Sequence, residues 1–224
     1  MEQNVLVAGA TGQTGRIIVR KLIEMGMVPH VLVRDIPVAQ KLLGDSIIYH
    51  KGDVRELALL VSHTAGMDTI ISAIGTRTPV GKNCPKNVDY QGVANLVQAA
   101  QINGVPRFIL ISSIAVTHPE HPLNCFGKVL EWKFKGEETL RQSSLKYTII
   151  RPGGLVDTKD DQRNLIFDQG DHLMGTISRS SVAEICLNAL QYPQSECTTF
   201  EAIETEQHGQ PDWAELFLSL DQTC

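Results

Sequence analysis

Aromatic side chains are scarce: the 224 residues include two Trp, four Tyr and six Phe, 5% of the chain. The core must therefore be built from aliphatic Val, Ile, Leu and Ala, as in buried parallel sheets. Long hydrophobic runs are missing too. No stretch of 18 apolar residues occurs, and MEQNVLVAGATG lacks the basic segment and long apolar stretch of a signal peptide. These two absences predict a cytoplasmic protein without membrane association. Positive charge is in deficit, with 20 Lys and Arg against 25 Asp and Glu, a net charge of -5 and an isoelectric point near 5.8. A broad nucleic-acid or anionic-membrane surface is thereby disfavoured, while local anion sites stay open. Cysteine is neither abundant nor patterned. Cys84, Cys125, Cys186, Cys197 and Cys224 form an odd set without a CxxC pair, which reads as free structural thiols in a reducing compartment.

What is present is ordinary globular material, 42% hydrophobic and 20% charged with a mean hydropathy of -0.06, in a length that suits one domain over 1–224. Short aliphatic runs at 4–9, 30–34, 46–50, 68–75, 107–113 and 146–153 read as strands. Between them, 16–26, 38–44, 54–66, 88–104 and 128–143 show helical apolar spacing. Gly26, Gly44 and Gly104 stand where helices end in a left-handed residue. Strict alternation requires crossover connections, hence an α/β fold with a doubly wound parallel sheet covered by helices on both faces. After Pro152 the rhythm breaks. Residues 153–178, rich in Gly and Asp, read as irregular, followed by a helix at 181–191, a strand near 198–203 and a helix at 211–220. Ligands of such sheets bind beyond the carboxyl ends of the strands, so 153–224 is expected to contribute the substrate side.

The strongest local signal is VLVAGATGQTGR at 5–16, with Gly9, Gly12 and Gly15 between a first strand and a first helix. Gly9 suits the tight turn, Gly12 lets backbone approach a pyrophosphate, and Gly15 lets the helix pack on the strand. The second strand ends in Arg34 and Asp35. An acidic residue there would hold the adenosine ribose hydroxyls, whereas an arginine would accept a 2′-phosphate. Spacing from Gly15 also permits Asp35. Arg34 is favoured, joined by Arg16 from the first helical turn, so NADP(H) is preferred over NAD(H). Asp53 is placed to cap the helix VRELALLV.

GATGQTGR, LVRD, GDV at 52–54, SAIGT at 72–76, LISS at 110–113, SLKYTIIRPGGL at 144–155 and ISRSSVAEICLNAL at 177–190 together resemble the atypical short-chain dehydrogenase/reductases. NmrA-like NAD(P)H-binding proteins and small flavin/biliverdin reductases are the nearest groups, all built on the Rossmann fold. The resemblance implies that Thr11, Gly12, Gln13 and Thr14 cradle the pyrophosphate, and that Asp53 and Val54 bracket the adenine. It further implies that Ala73, Ile74 and Gly75 line the ribose and nicotinamide path, and that Pro152, Gly153 and Leu155 approach the nicotinamide.

Dehydrogenases of this superfamily commonly use a Ser/Thr with a Tyr four residues before a Lys. Here Lys133 matches the lysine, but Val129 stands at the tyrosine position and has no proton to give. Ser113 matches the catalytic Ser/Thr, with Ser112 beside it on the cofactor path. Tyr147 reads as packing. Two readings compete. One is an NADPH-dependent oxidoreductase that transfers hydride to a small acceptor such as a flavin, a quinone or a conjugated carbonyl. The other is a non-catalytic NADP(H) sensor acting on a protein partner.

Other candidates carry less. His118, Glu120, His121 and Cys125 sketch a zinc site in a proline-rich loop, which reads better as a substrate-side loop with His118 as an alternative proton donor. No metal is expected. Asp157, Asp160 and Asp161 belong to an acidic stretch read as solvated, and Ser180 or Ser181 as a helix cap. Arg179 is near the substrate side by resemblance, or else in a salt bridge.

Overall fold

The computed structural model describes residues 3–157 and 163–223. Strands β1 (Val5–Ala8), β2 (His30–Val33), β3 (Ile48–Lys51), β4 (Thr69–Ser72), β5 (Arg107–Ile111) and β6 (Lys146–Pro152) alternate with five helices. These are α1 (Gln13–Glu24), α2 (Ile36–Leu43), α3 (Leu57–Thr64), α4 (Gln91–Ile102) and α5 (Val129–Arg141). Then come β7 (Gly154–Val156), β8 (Arg163–Asp168), β9 (Thr176–Ser178), α6 (Arg179–Gln191), β10 (Thr198–His208) and α7 (Trp213–Leu218).

The main sheet runs β3-β2-β1-β4-β5-β6-β10-β8, parallel throughout except where β8 pairs antiparallel with β10. Sequence order reverses between β1 and β4, the switch point at which a doubly wound sheet opens a crevice at its carboxyl edge. The central strands VLVA, TIIS and RFILI are buried along their whole length. They read as unbroken runs because helices cover both sheet faces. One face packs Ile18, Leu22, Ala39, Val182 and Phe217 from α1, α2, α6 and α7; the other packs Leu60, Leu96 and Leu140 from α3, α4 and α5. The α/β expectation is met.

Residues 153–178 depart from the expected irregularity. β7 and β9 form a small parallel sheet of their own, and β8 extends the main sheet. Their shortness and their Gly and Asp neighbours conceal them, since three-residue strands leave almost no period to read. Several of the few aromatic residues gather beside β8: the Phe167 ring lies tilted 4.5 Å from Phe200, and Tyr192 and Trp213 lie 5.7 and 6.3 Å from Phe217. This cluster seats α7 on β8 and β10.

Several local expectations need correction. α3 starts after Glu56, so Asp53 does not cap it; the Asp53 carboxylate turns back onto Arg55. α6 is capped by Ser178, which accepts from Ser181 N at 3.0 Å, because the helix begins two residues earlier than its apolar pattern shows. Cys84, Cys125 and Cys186 are free thiols, but Cys197 is disulfide-bonded, so the reading of all five cysteines as free does not hold. Pairing depends on which segments meet in space, and spacing carried no sign of it. Cys224, Asp160 and Asp161 lie outside the described residues.

Three histidines lock the β2–β3 edge to α3. The rings of His30 and His50 stack with Nδ1 and Nε2 2.8 Å apart, and the His63 ring lies 4.9 Å from that of His50. Burial, with His63 and His30 close by, pushes the His50 imidazole down to about 4. An unfolded histidine titrates near 6.5, so the stability that neutral His50 contributes is present above about pH 6.5 and is lost as pH falls toward 4. Between pH 7 and 4.5, wild type should lose about 1–2 kcal/mol more than His50→Gln, after discounting for partial exposure. Urea denaturation at the two pH values measures this, and equal losses would remove His50 from the account.

Candidate functional site

β1 ends in a turn that no side chain could share. Gly9 has φ +85°, and a Cβ there would stand 2.4 Å from the Ala73 carbonyl oxygen; a Cβ on Gly15 would stand 2.2 Å from the Gly9 oxygen. Gly12 N closes the turn onto Gly9 O at 2.9 Å. Gly12 is also the N-cap of α1 and offers no side chain, so the first-turn N–H groups are uncapped at the crevice. An uncapped helix start with close backbone approach is an anion cradle.

Two hollows flank this cradle. The smaller, about 400 Å³, lies over the ends of β1–β4 and is lined by Gly9, Thr11, Gly12, Arg34, Asp53, Val54, Ala73, Ile74 and Gly75. Arg55 and Arg77 also line it; Arg16 and Asp35 do not. Asp35 instead caps α2, accepting from Val38 N at 3.0 Å. Arg16 was drawn to the phosphate by its place in the first turn. Arg16 is not among the residues lining the hollow, whereas Arg55 is.

The larger cavity, about 890 Å³, opens over β4, β5 and β6. Gly12, Gln13, Thr14, Ala73, Ile74, Gly75, Ser112, Ser113, Lys133, Pro152, Gly153 and Leu155 all line it. Among the proposed site residues only Gly15 and Arg16 line neither hollow, and Gly15 is buried beneath the turn. Lys133 Nζ lies 2.9 Å from Asp89 Oδ1, at an angle that makes an ion pair and not a hydrogen bond. Asp89 is buried in a π turn, Lys86–Tyr90, that leads into α4, and its other oxygen accepts from Thr76 N. Wide turns of this kind recur at functional sites. Gly136 lets α5 approach: a Cβ there would sit 2.9 Å from Asp89 O. Val129 also faces the cavity.

The two serines differ. Ser112 Oγ donates to Glu137 Oε1 at 2.5 Å. Glu137, fully buried on α5, also takes Arg151 through Nε and an Nη at 3.1 and 2.7 Å, and Arg141 at 3.1 Å. The Ser112 proton is thus directed inward and its lone pairs toward the cavity. Ser113 lines the cavity with no side-chain partner among the described residues.

The outer wall comes from the carboxyl half. Asp171 accepts from Ala115 N at 2.6 Å and from Thr117 N and Oγ1 at 2.8 Å, while buried Glu201 of β10 accepts from His172 N at 2.9 Å. These bonds hold Leu173 and Met174 over the cavity, where Leu123 and Leu155 add apolar surface and Met174 is 88% exposed. Across the mouth, Arg77 donates to Gln13, Gln13 approaches Asp157, and Arg179 pairs with Asp157 at 2.8 Å. Arg179 therefore serves both expectations, as salt bridge and cavity lining. The Asp157 carboxylate is engaged by this cation.

The drawn zinc site does not assemble. His118 Nδ1 faces Glu120 at 3.3 Å, its Nε2 faces Asp171 O at 3.2 Å, and His121 accepts from Leu123 N. No group of three His, Cys, Asp or Glu among the described residues is arranged for a metal ion. Hydrogen bonding to Asp171 O and to Glu120 raises the His118 imidazole above its usual range. Both ring nitrogens of His118 are thus engaged by neighbouring oxygens.

Asp89, Glu137, Arg55, Arg77, Asp171 and Glu201 were not singled out by their sequence positions. A carboxylate on the inward side of a predicted helix, as in NVDYQG or KGEET, is the one signal that marks two of them.

The profile of a family described as NAD(P)H-binding matches residues 9–193. Two uncharacterized chloroplastic proteins of Arabidopsis thaliana are 34% and 35% identical over 95% and 97% of this chain, and 74% and 82% of their own lengths. Sanguinarine reductase of Eschscholzia californica is 30% identical over 88% of this chain and 87% of its own. An oxidoreductase from Lactococcus lactis superposes with a TM-score of 0.81 at 22% identity, covering 97% of this chain and 96% of its own. A wide-type short-chain dehydrogenase/reductase from Veillonella parvula in complex with NADP gives 0.74 at 15%, over 95% and 100%. The chloroplastic relatives overturn the cytoplasmic expectation. That expectation rested on the lack of a secretory signal, which bears on secretion and not on organelles. No described helix is long and apolar enough to cross a membrane.

Proposed function

The chain belongs to the NAD(P)H-binding family, within the Rossmann-fold oxidoreductases, and from that membership we propose that it is an NADPH-dependent reductase of a conjugated acceptor such as a flavin, quinone or enone. The observation that carries this reading is Val129 facing the cavity four residues before Lys133, where a proton-donating phenol would stand. A conjugated acceptor spreads the negative charge left by hydride addition, so its protonation need not coincide with transfer. An isolated ketone needs an acid in place.

The fold presents the groups that such a cofactor requires. The uncapped start of α1, with Gln13 and Thr14, would hold the pyrophosphate, Asp53 and Val54 would bracket the adenine, and Arg34 would take the 2′-phosphate. Asp35 caps α2 and does not line the hollow, which leaves Arg34 as the residue at the end of β2 that does. When bound, reduced nicotinamide supplies the hydride. Lys133, fixed by Asp89, would donate to a ribose hydroxyl and Ser112 Oγ would accept from one, while Ser113 would be left to hydrogen-bond the acceptor. Leu123, Leu155, Leu173 and Met174 exclude water from one of its faces. The segment after residue 153 thus contributes the substrate side. A relative named sanguinarine reductase supports the reductase reading.

Stoichiometric NADPH oxidation with a panel of flavins, quinones and enones tests the reading. Tight NADPH binding without turnover against the whole panel would replace it with the sensor reading and its protein partner. Lys133→Ala should raise the NADPH Kd about tenfold and leave turnover at saturation within about threefold, the loss of one charge-assisted hydrogen bond. Lost turnover with binding intact would move Lys133 into the chemical step.

A further inference from the structure

We propose that Arg55 determines cofactor specificity: by neutralising Asp53 it lets the hollow beside Arg34 accept a 2′-phosphate. The inference rests on the NADPH reading and deepens it. Asp53 is the one carboxylate lining that hollow, against Arg34, Arg55 and Arg77. Both of its oxygens are held in a planar fork, Arg55 Nε to Oδ1 at 2.8 Å and Arg55 Nη2 to Oδ2 at 2.6 Å. Arg55 N adds a third bond to Oδ1 at 3.0 Å. A bidentate guanidinium fixes both charge and geometry, which a lysine does not.

The need for a counter-ion follows from the surroundings. Asp53 is largely buried, its side chain 11% exposed. A bare carboxylate in so sheltered a place would repel a phosphate dianion held close by. Nor can Asp53 shed its charge by protonation: hydrogen bonding to Arg55, reinforced by the nearby charge of Arg34, holds its carboxyl below the usual range. The turn after β3 supplies the neutralising cation in fixed geometry, with acid and cation two residues apart. Arg55 Nη1 also donates to Lys82 O at 3.0 Å, which ties the loop after β4 to this pair. That bond gives the competing role, a clasp acting on any dinucleotide.

Fluorescence titration with NADPH and NADH separates the two, because adenine, ribose and pyrophosphate contacts are common to both and cancel in the ratio of the two Kd values. Arg55→Gln should reduce the preference for NADPH over NADH about tenfold, and Arg55→Lys, which keeps the charge, should stay within about threefold of wild type. Adding Asp53→Asn to Arg55→Gln should restore the ratio to within about twofold, since the uncompensated carboxylate is then gone. Equal weakening of both cofactors by Arg55→Gln, or a double variant no better than the single, would overturn the proposal. Wild type that binds NADPH no better than NADH would refute the NADPH reading, and Arg55→Gln would still have to shift the ratio toward NADH for the Arg55 role to stand.

Discussion

Gly9→Ala is expected to weaken NADPH binding more than a hundredfold and to lower the unfolding free energy by about 2–4 kcal/mol. The added methyl meets backbone, not a side chain that could swing aside: Ala73 O at 2.4 Å, Ala73 C at 2.6 Å and Ile74 N at 2.9 Å. Its φ of +85° also disfavours every L side chain. Relief requires β1 and β4 to separate at the switch point, where Ala73 N bonds to Ala8 O at 2.9 Å. That movement would displace the N–H groups at the start of α1 and the wall formed by Ala73, Ile74 and Gly75. Fluorescence titration and urea denaturation measure the two effects. An alanine variant that binds NADPH within threefold of wild type would show that the turn is not the cofactor cradle.

Glu137→Gln should cost about 3–5 kcal/mol of stability, the usual result of breaking a buried ion pair from one side. Burial works against the Arg151 guanidinium, and its hydrogen bonds to Glu137, helped by the charges of Asp171 and Glu201, outweigh that and hold it protonated. An amide offers one acceptor and no charge where Ser112, Arg151 and Arg141 now converge. Removing both buried partners in Glu137→Leu/Arg151→Met should recover at least half of the loss, because the guanidinium that Glu137→Gln leaves without its carboxylate is then gone. Urea denaturation reads both variants. A loss under about 1 kcal/mol for Glu137→Gln would mean that water or Asp171 takes over the pairing.

The regular part of the fold was legible because it is written twice. β1 is aliphatic throughout and β4 and β5 are buried runs with aliphatic centres, and the helices between them carry an apolar stripe toward the sheet, so period and order agree. The glycines of the first turn were legible because each answers a local steric demand. β7, β8 and β9 were not: they are stabilised by partners far along the chain, Thr176 for Gly154 and Ile203 for Ile166. Arg16 and Arg34 look alike from spacing, but in the folded chain Arg34 lines the hollow and Arg16 does not.

The sequence by itself determined the class of fold, the place of the glycine turn and the want of a phenolic acid before Lys133, since these depend on backbone geometry and residue type at fixed spacing. Tertiary structure decided which charges meet. Asp89 and Lys133 are 44 positions apart in the numbering, and Asp171 and Ala115 are 56 apart, yet each pair is within ion-pair or hydrogen-bond distance. Electrostatic energy falls with distance in space and is indifferent to distance along the chain. That is why the scarcity of aromatics foretold an aliphatic sheet, while the partners of Asp53, Ser112 and Lys133 emerged only once the chain was folded.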